Sequence, residues 1–563
     1  MSAKVAFALL LVLAVSPVSA FGIGSGPGTT PPTESTPVSA STPSSASVSA
    51  SASLSTNRTP RIVAVYPNPV AMDDAGEFVL VAFQNRTNLS GWAISDGEAT
   101  ADLPDRTVSG RIAFSTAPNR TQSLTSFRTL PLSNLSLANS GETITLWRNE
   151  TVPQRVDVVS YADAPDGECW RRKTEKWRPL GATNLSIARA DATGVRTFVL
   201  PDDPEVPAHV LQNASHRILL AGYAFTSRRI ADVLIAAADR GVDVHVVVDD
   251  APVGGLSTRE ATVLDDLAAH GVTVEVIGGK LGRYDFHHAK YAVADDEAVV
   301  LTENWKPAGV GGHASRGWDV VVGGDAATDL REVFAADTSW NDTVSWSKFR
   351  AGRSFTPASP ANGSYPTRFR PKRVPVDSVS VLVAPDNAES GVLSLLRSAN
   401  ESICVQQMTA GGIDQPFVRA TLAAARRGVE VKILLSSAWY VRDDNRRVAD
   451  WLNERSDDEE LPLHVKLADP DGYEKIHAKG VVVDGRHVVV GSLNWNNHSV
   501  RENREVAVVL HGDAAGAYYG RVFTADWGDG EKTFPVGLAA FVVIGVAGAV
   551  WIAKREVRFE SER

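Results

Sequence analysis

The chain has 563 residues, too many for one ordinary domain, and 44% of them are apolar, which excludes global disorder. Acidic residues number 66 against 56 basic ones, for a formal net charge of -10. That balance argues against a broadly basic nucleic-acid-binding surface.

The chain opens MSAKVAFALLLVLAVSPVSA, with one lysine ahead of an apolar run from Val5 to Val15 and a small-residue end, Val18-Ser19-Ala20. This pattern predicts a secretory signal peptide over residues 1–20. Residues 21–60 are mostly Ser, Thr, Pro, Ala and Gly. Such a segment cannot bury enough apolar surface to fold and is expected to be a disordered stalk.

From residue 61 to 165 the pattern changes to short alternating runs, among them Arg61–Tyr66, Glu77–Phe83, Thr143–Trp147 and Val156–Tyr161. Turn residues such as Pro67-Asn68-Pro69 and Asn139-Ser140-Gly141 separate them. Short strands without helices predict an N-terminal immunoglobulin-like β-sandwich. The stretches Tyr66-Pro67-Asn68-Pro69, Gly76-Glu77-Phe78-Val79, Leu89-Ser90-Gly91-Trp92 and Leu137-Ala138-Asn139-Ser140-Gly141-Glu142 make this segment resemble the lamin-tail domain. The resemblance implies a module that binds or positions another macromolecule and does not catalyse.

Beyond residue 197 strand-like and helix-like patterns alternate, which predicts an α/β fold. The segment is internally repeated. A helical run Ile230–Arg240 stops at Gly241 and leads into Val242–Val248; a second, Val418–Arg427, stops at Gly428 and leads into Val429–Leu435. Both copies also close alike, with Phe334-Ala335-Ala336-Asp337 and Phe523-Thr524-Ala525-Asp526. Residues 197–345 and 376–528 are therefore expected to be two copies of one α/β lobe. The basic stretch Thr367-Arg368-Phe369-Arg370-Pro371-Lys372-Arg373 between them is expected to be a solvated linker, the alternative being that its basic cluster lines a phosphate site.

Phe534–Ala553 contains no charge and is followed by Lys554, Arg555 and Arg558. Some twenty apolar residues can span a bilayer core of about 30 Å. The basic flank predicts a transmembrane helix with a short cytoplasmic tail over residues 554–563, which leaves the rest of the chain outside the cell. Twelve Asn-x-Ser/Thr sequons agree with that placement. The two cysteines, Cys169 and Cys404, are expected to be free thiols rather than a disulfide.

Each lobe carries a His-x-Lys-x4-Asp motif: His288, Lys290 and Asp295 in the first, His477, Lys479 and Asp484 in the second. On a strand, residues i and i+2 share a face, so each His and Lys project together. Two lobes packed face to face would bring two imidazoles and two ammonium groups to one cleft. The lysines would hold the oxygens of a phosphodiester, one imidazole would attack phosphorus, and the other would protonate the leaving oxygen. This chemistry requires no metal or other cofactor. No second cluster of His and carboxylates shows metal-ligand spacing. Glu505 lies one strand beyond the second motif and Asp319 at the matching place in the first lobe; both are expected to orient a histidine. His287 is out of phase and is expected to be structural.

The paired motifs resemble the phospholipase D superfamily. The resemblance implies that His288 is the nucleophile and His477 the acid. It further implies that Thr302, Asn304, Ser492 and Asn494 contact the phosphate and that Asp295 and Asp484 brace the local backbone. Where the second copy reads Gly491-Ser492, the first reads Leu301-Thr302, one residue early, which leaves the local backbone path open. The expected activity is phosphodiester hydrolysis or transfer of phosphatidyl groups on phospholipids, at a cell membrane and with the catalytic domains extracellular. An extracellular metal-independent endonuclease and an inactive surface-binding protein are the alternatives.

Overall fold

A computed structural model describes residues 59–71, 74–149, 151–359 and 361–528. The expected signal peptide, the stalk up to residue 58 and the expected membrane span lie outside the described residues. Among those described, no helix is long and apolar enough to cross a membrane.

The N-terminal domain consists of a six-stranded and a four-stranded sheet. Alternation along the strands turns Val79, Val81 and Phe83 of one sheet and Ile94, Ile144 and Leu146 of the other into a single shared core. The larger sheet continues past residue 165: strands Glu168–Arg171 and Lys176–Pro179 extend it beyond Arg61–Tyr66. It also holds a short helix, Pro118–Leu124, started by its proline, in a segment expected to lack helices.

The remaining chain forms two lobes with the same strand order. In the first, the central run is Thr273–Ile277, Asp243–Asp249, Arg217–Gly222, Tyr291–Ala294, Glu297–Val300, Ser315–Gly323 and Val195–Leu200. In the second it is Leu463–Leu467, Glu430–Leu435, Ser402–Gln407, Lys479–Val483, His487–Gly491, Glu505–His511 and Ser378–Ala384. Helices cover the outer face of each sheet over separate apolar cores. The inner faces share one core, into which Leu330 and Phe334 project from helix Asp325–Thr338 and Tyr518 and Val522 from helix Asp513–Gly528.

Each lobe lends the other an edge strand. Ala188–Asp191, which precedes the first lobe, pairs with Ser378–Ala384 of the second; Lys372–Val374, which precedes the second lobe, pairs with Val195–Leu200 of the first. The basic stretch between the lobes is thus not a free linker. Its end is a strand, and Asp202 accepts the backbone N–H groups of Arg368 and Phe369 at 2.5 and 2.6 Å.

The closing motifs of the repeat also acquire a physical role. Asp337 reaches across to Arg504 of the second lobe at 2.9 Å, and Asp526 reaches back to Arg316 of the first at 3.0 Å. Both guanidinium groups are fully buried, and each has a second carboxylate from its own lobe: Asp202 at 2.5 Å from Arg316 and Asp386 at 3.6 Å from Arg504. Cys169 and Cys404 are free thiols, as expected.

Candidate active site

Arg316 and Arg504 begin the lacing that builds the cleft. The carbonyl of Arg504 accepts the N–H of His288 at 2.8 Å, and the carbonyl of Arg316 accepts those of His477 and Ala478 at 3.0 and 2.9 Å. Each motif histidine is therefore seated by the last strand of the opposite lobe. His288 also turns its Nδ1 toward Glu505 of the second lobe, 2.9 and 2.8 Å from its two carboxylate oxygens. That contact fixes the ring and leaves Nε2 for chemistry. The edge of the Tyr223 ring packs 4.7 Å from the imidazole, centroid to centroid.

His477 is held differently. Its Nδ1 donates to the carbonyl of Thr302 at 2.9 Å and lies 3.4 Å from the carboxylate of Glu303, both from the first lobe. Asp319, expected to orient a histidine, instead accepts the backbone N–H of Thr302 at 2.8 Å. The register explains the difference. Trp318 N–H donates to the Thr302 hydroxyl at 3.0 Å, as Val506 N–H donates to the Ser492 hydroxyl at 3.0 Å. The first-lobe counterpart of Glu505 is therefore Gly317, not Asp319. A side chain on Gly317 would meet the Glu303 Cγ at 2.7 Å. Glu303 thus fills the space an acid at 317 would need, and supplies the acid from the neighbouring segment. Its counterpart in the second lobe is Leu493, so a break in the repeat was the available sequence signal.

The lysines are almost completely buried. Lys290 Nζ donates to the carbonyl of His288 at 2.5 Å and lies 5.1 Å from the centre of the Tyr223 ring. Lys479 Nζ donates to the carbonyl of His477 at 2.6 Å and lies 3.5 Å from Nε2 of that ring. Burial lowers both, Lys290 well below the usual lysine range and Lys479 to about 8. Burial, partly offset by Glu505, lowers His288 to about 4. Burial, the two lysines and His288 together hold His477 well below the usual imidazole range. His288 of the first lobe thus lies near enough to His477 of the second for its charge to act on that ring. Burial pushes Glu303 up to about 7 against the pull of Lys479, Lys475 and Lys290. Glu505 goes the other way: burial opposes its charge, but His288 and Lys290 hold its carboxyl below the usual range.

The motif aspartates stand away from this chemistry. Asp295 accepts the backbone N–H groups of Ser215, His216 and Arg217 at 2.7, 3.0 and 2.8 Å. Asp484 accepts those of Asn400, Glu401 and Ser402 at 3.0, 2.8 and 3.0 Å. Each pins the start of the strand beside its motif. The hairpin after Asp295 turns with two residues, Asp295-Asp296, where the second lobe uses Asp484-Gly485-Arg486. That shorter turn accounts for Leu301-Thr302 arriving one residue early. Gly491 is needed where it stands, because a Cβ there would come within 2.4 Å of the Ala507 backbone.

The hydroxyls of Thr302 and Ser492 are buried, and each accepts a backbone N–H from the adjacent strand. Asn304 and Asn494 each keep a buried side-chain oxygen without a partner. His287 is buried and structural, with Nε2 at 3.1 Å from Asp337. One unexpected cluster joins the lobes on the surface: ligand atoms of Asp285, His498 and Glu502 lie within 4.8 Å of one another. His498 and Glu502 are four residues apart, but Asp285 comes from the other lobe, so the spacing could reveal only the pair. His498 already pairs with Glu502 at 2.7 Å.

The family model described as "Cardiolipin synthase, PLD-like domain" matches residues 208–335 and 392–527, one match in each lobe. The two lobes belong to the phospholipase D superfamily. Cardiolipin synthase A of Erwinia tasmaniensis is 24% identical over 311 residues, 52% of this chain and 60% of that protein. Cardiolipin synthase A of Yersinia pseudotuberculosis is 31% identical over 101 residues, 18% of this chain and 20% of that protein. The chain thus spans less than two thirds of these curated relatives. Phosphatidylserine synthase of Haemophilus influenzae Rd KW20 superposes with a TM-score of 0.45 at 13% identity, over 59% of this chain and 88% of that one.

Proposed function

We propose that the chain is a phospholipase D-like phosphodiesterase that hydrolyses or transfers phosphatidyl groups of phospholipids through a phosphohistidine. The observation that carries this reading is the cross-lobe contact of His288 Nδ1 with both oxygens of Glu505. An ionised acid on Nδ1 makes Nε2 the better nucleophile, so His288 attacks phosphorus and a P–N bond forms as the P–O bond to the leaving group breaks. Lys290 and Lys479 meet the negative charge on the phosphoryl oxygens. His477 gives the leaving oxygen a proton, then takes one from the incoming water or alcohol, whose oxygen displaces His288.

The depressed basicity of His477 suits this order. Two of its depressing influences are the charges of Lys290 and Lys479, and a bound phosphodiester anion neutralises them. Burial is the larger influence and persists, but substrate entry relieves the part due to the lysines and so favours the proton that the leaving group needs.

The cardiolipin synthases among the relatives support phospholipid as the substrate class. So does the apolar run Phe534–Ala553, read as a single-pass anchor that holds the lobes beside a membrane, with an exported chain ahead of it. The lamin-tail resemblance of the N-terminal domain favours the second reading, an extracellular endonuclease, and assigns that domain the binding of another macromolecule. Detergent-solubilised full-length protein would be assayed on labelled phosphatidylglycerol and on plasmid DNA, with chelator present. Release or transfer of the headgroup without nicking of DNA is expected; nicking alone would establish the second reading.

A further inference from the structure

Five large apolar side chains are markedly exposed among the described residues: Val152, Ile187, Val253, Trp439 and Tyr440. Three of them sit on two loops related by the internal repeat. Each loop follows the strand after the helix-ending glycine, Asp243–Asp249 in one lobe and Glu430–Leu435 in the other. Val253 and Tyr440 stand at the same sequence distance from Gly241 and Gly428. The loops even turn alike: Ala251 N–H donates to Asp249 Oδ1 at 2.9 Å, and Ala438 N–H to Ser436 Oγ at 3.3 Å.

Both tips border the cleft. Val253 N–H donates to the Tyr223 hydroxyl at 2.5 Å, and the Tyr223 ring packs on His288. The Tyr440 ring lies 5.9 Å from Lys475 Nζ, two residues before His477, and the charge of Glu303 acts on its hydroxyl. At these tips Val253 is 82% exposed, Trp439 83% and Tyr440 42%. Leaving such side chains in water gains nothing for folding, and a paired display around an active-site mouth marks an interaction surface. Trp and Tyr join an apolar ring to a polar edge, the combination favoured at the headgroup level of a bilayer.

We propose that loops 251–255 and 438–441 are a two-footed docking surface that seats the cleft on a phospholipid bilayer. The inference rests on the phospholipid reading above and deepens it. Aromatic tips can also stack on bases. However, Asp250, Asp443, Asp444 and Glu474 lie near these tips and only Arg442 and Lys475 stand against them, so the tips lack the basic track along which a polyanion binds. A bilayer needs only shallow insertion of the tips themselves.

The test uses the full-length chain in vesicles of phosphatidylcholine doped with phosphatidylglycerol. An environment-sensitive fluorophore is placed on Val253→Cys, on Trp439→Cys and, as control, on the N-terminal domain's Val152→Cys. Brominated acyl chains should quench the first two and spare the third. The triple variant Val253→Ser/Trp439→Ser/Tyr440→Ser should lower turnover of vesicle phosphatidylglycerol about tenfold, the scale of withdrawing one or two side chains from an interface. It should leave turnover of monomeric bis(p-nitrophenyl) phosphate unchanged. If the labels at 253 and 439 stay in water, the docking surface is overturned even where lipid turnover persists. If they are quenched but neither diester is turned over, the phospholipase reading fails and the docking stands. Unquenched labels, with a fluorescent oligonucleotide bound by the parent chain and not by the triple variant, would assign the tips to nucleic acid instead.

Discussion

Replacing Glu303 with Gln isolates the charge that the first lobe places beside His477, because the amide keeps the shape of the carboxyl. The carboxylate lies 3.4 Å from Nδ1. At an effective dielectric constant of about 20, its gross attraction for an imidazolium is about 5 kcal/mol. Ionising Glu303 is itself disfavoured: its pKa rises from 4.5 to about 7, equivalent to about 3 kcal/mol. The difference, about 2 kcal/mol, is the net support for protonated His477, equivalent to about thirtyfold in rate. The assay is the dependence on leaving group. Release of an alkoxide requires the proton, so Glu303→Gln should cut kcat about thirtyfold for an alkyl diester. Release of p-nitrophenolate hardly requires it, and the loss should stay below about threefold. The alkaline limb of the alkyl profile should also move to lower pH, since an imidazolium without its acid loses its proton sooner. Equal losses for both leaving groups would show Glu303 to be mere architecture and refute the reasoning.

Several other outcomes follow from the same geometry. His288→Ala should abolish both turnover and the covalent phosphoprotein trapped by rapid quench, while His477→Ala should still accumulate it with a p-nitrophenyl substrate, as read by intact mass. The nucleophile must be neutral, and His288 sits at about 4, so the acid-side fall of kcat/KM in the free protein should begin only as the pH drops below about 4. Asp295 and Asp484 have lowered pKa values, so their stabilising contribution is complete above the ordinary aspartate value near 4 and is lost as pH falls through the lower folded values. Asp295→Asn and Asp484→Asn should flatten that acid-side loss in urea titrations followed by circular dichroism. Asp337→Ala leaves the buried guanidinium of Arg504 without its cross-lobe carboxylate and should cost about 3–5 kcal/mol in denaturant unfolding.

The duplicated α/β fold was legible because helix, glycine and strand each leave a strong local pattern, and the pattern occurs twice. The paired His-Lys-Asp motifs stood out for the same reason. Contacts made across the repeat were not legible. Nothing local in Glu505 says that it serves the histidine of the other lobe, and reading Asp319 as its twin missed the register by two residues along a strand. Glu303 is obscured because the hydroxyl and amide on either side of it match the second copy, and only its own side chain breaks the repeat. The edge strands Ala188–Asp191 and Lys372–Val374 are too short for periodicity to betray. Their pairing is decided by the partner's open edge, which no sequence window contains.

That reciprocal loan of edge strands has a mechanical consequence. A protease that cut the connection near residue 360 would produce two fragments that remain clasped, each gripping a ribbon of the other. Neither fragment would be a self-sufficient half, since each would expose an unzipped sheet margin and a stranded arginine.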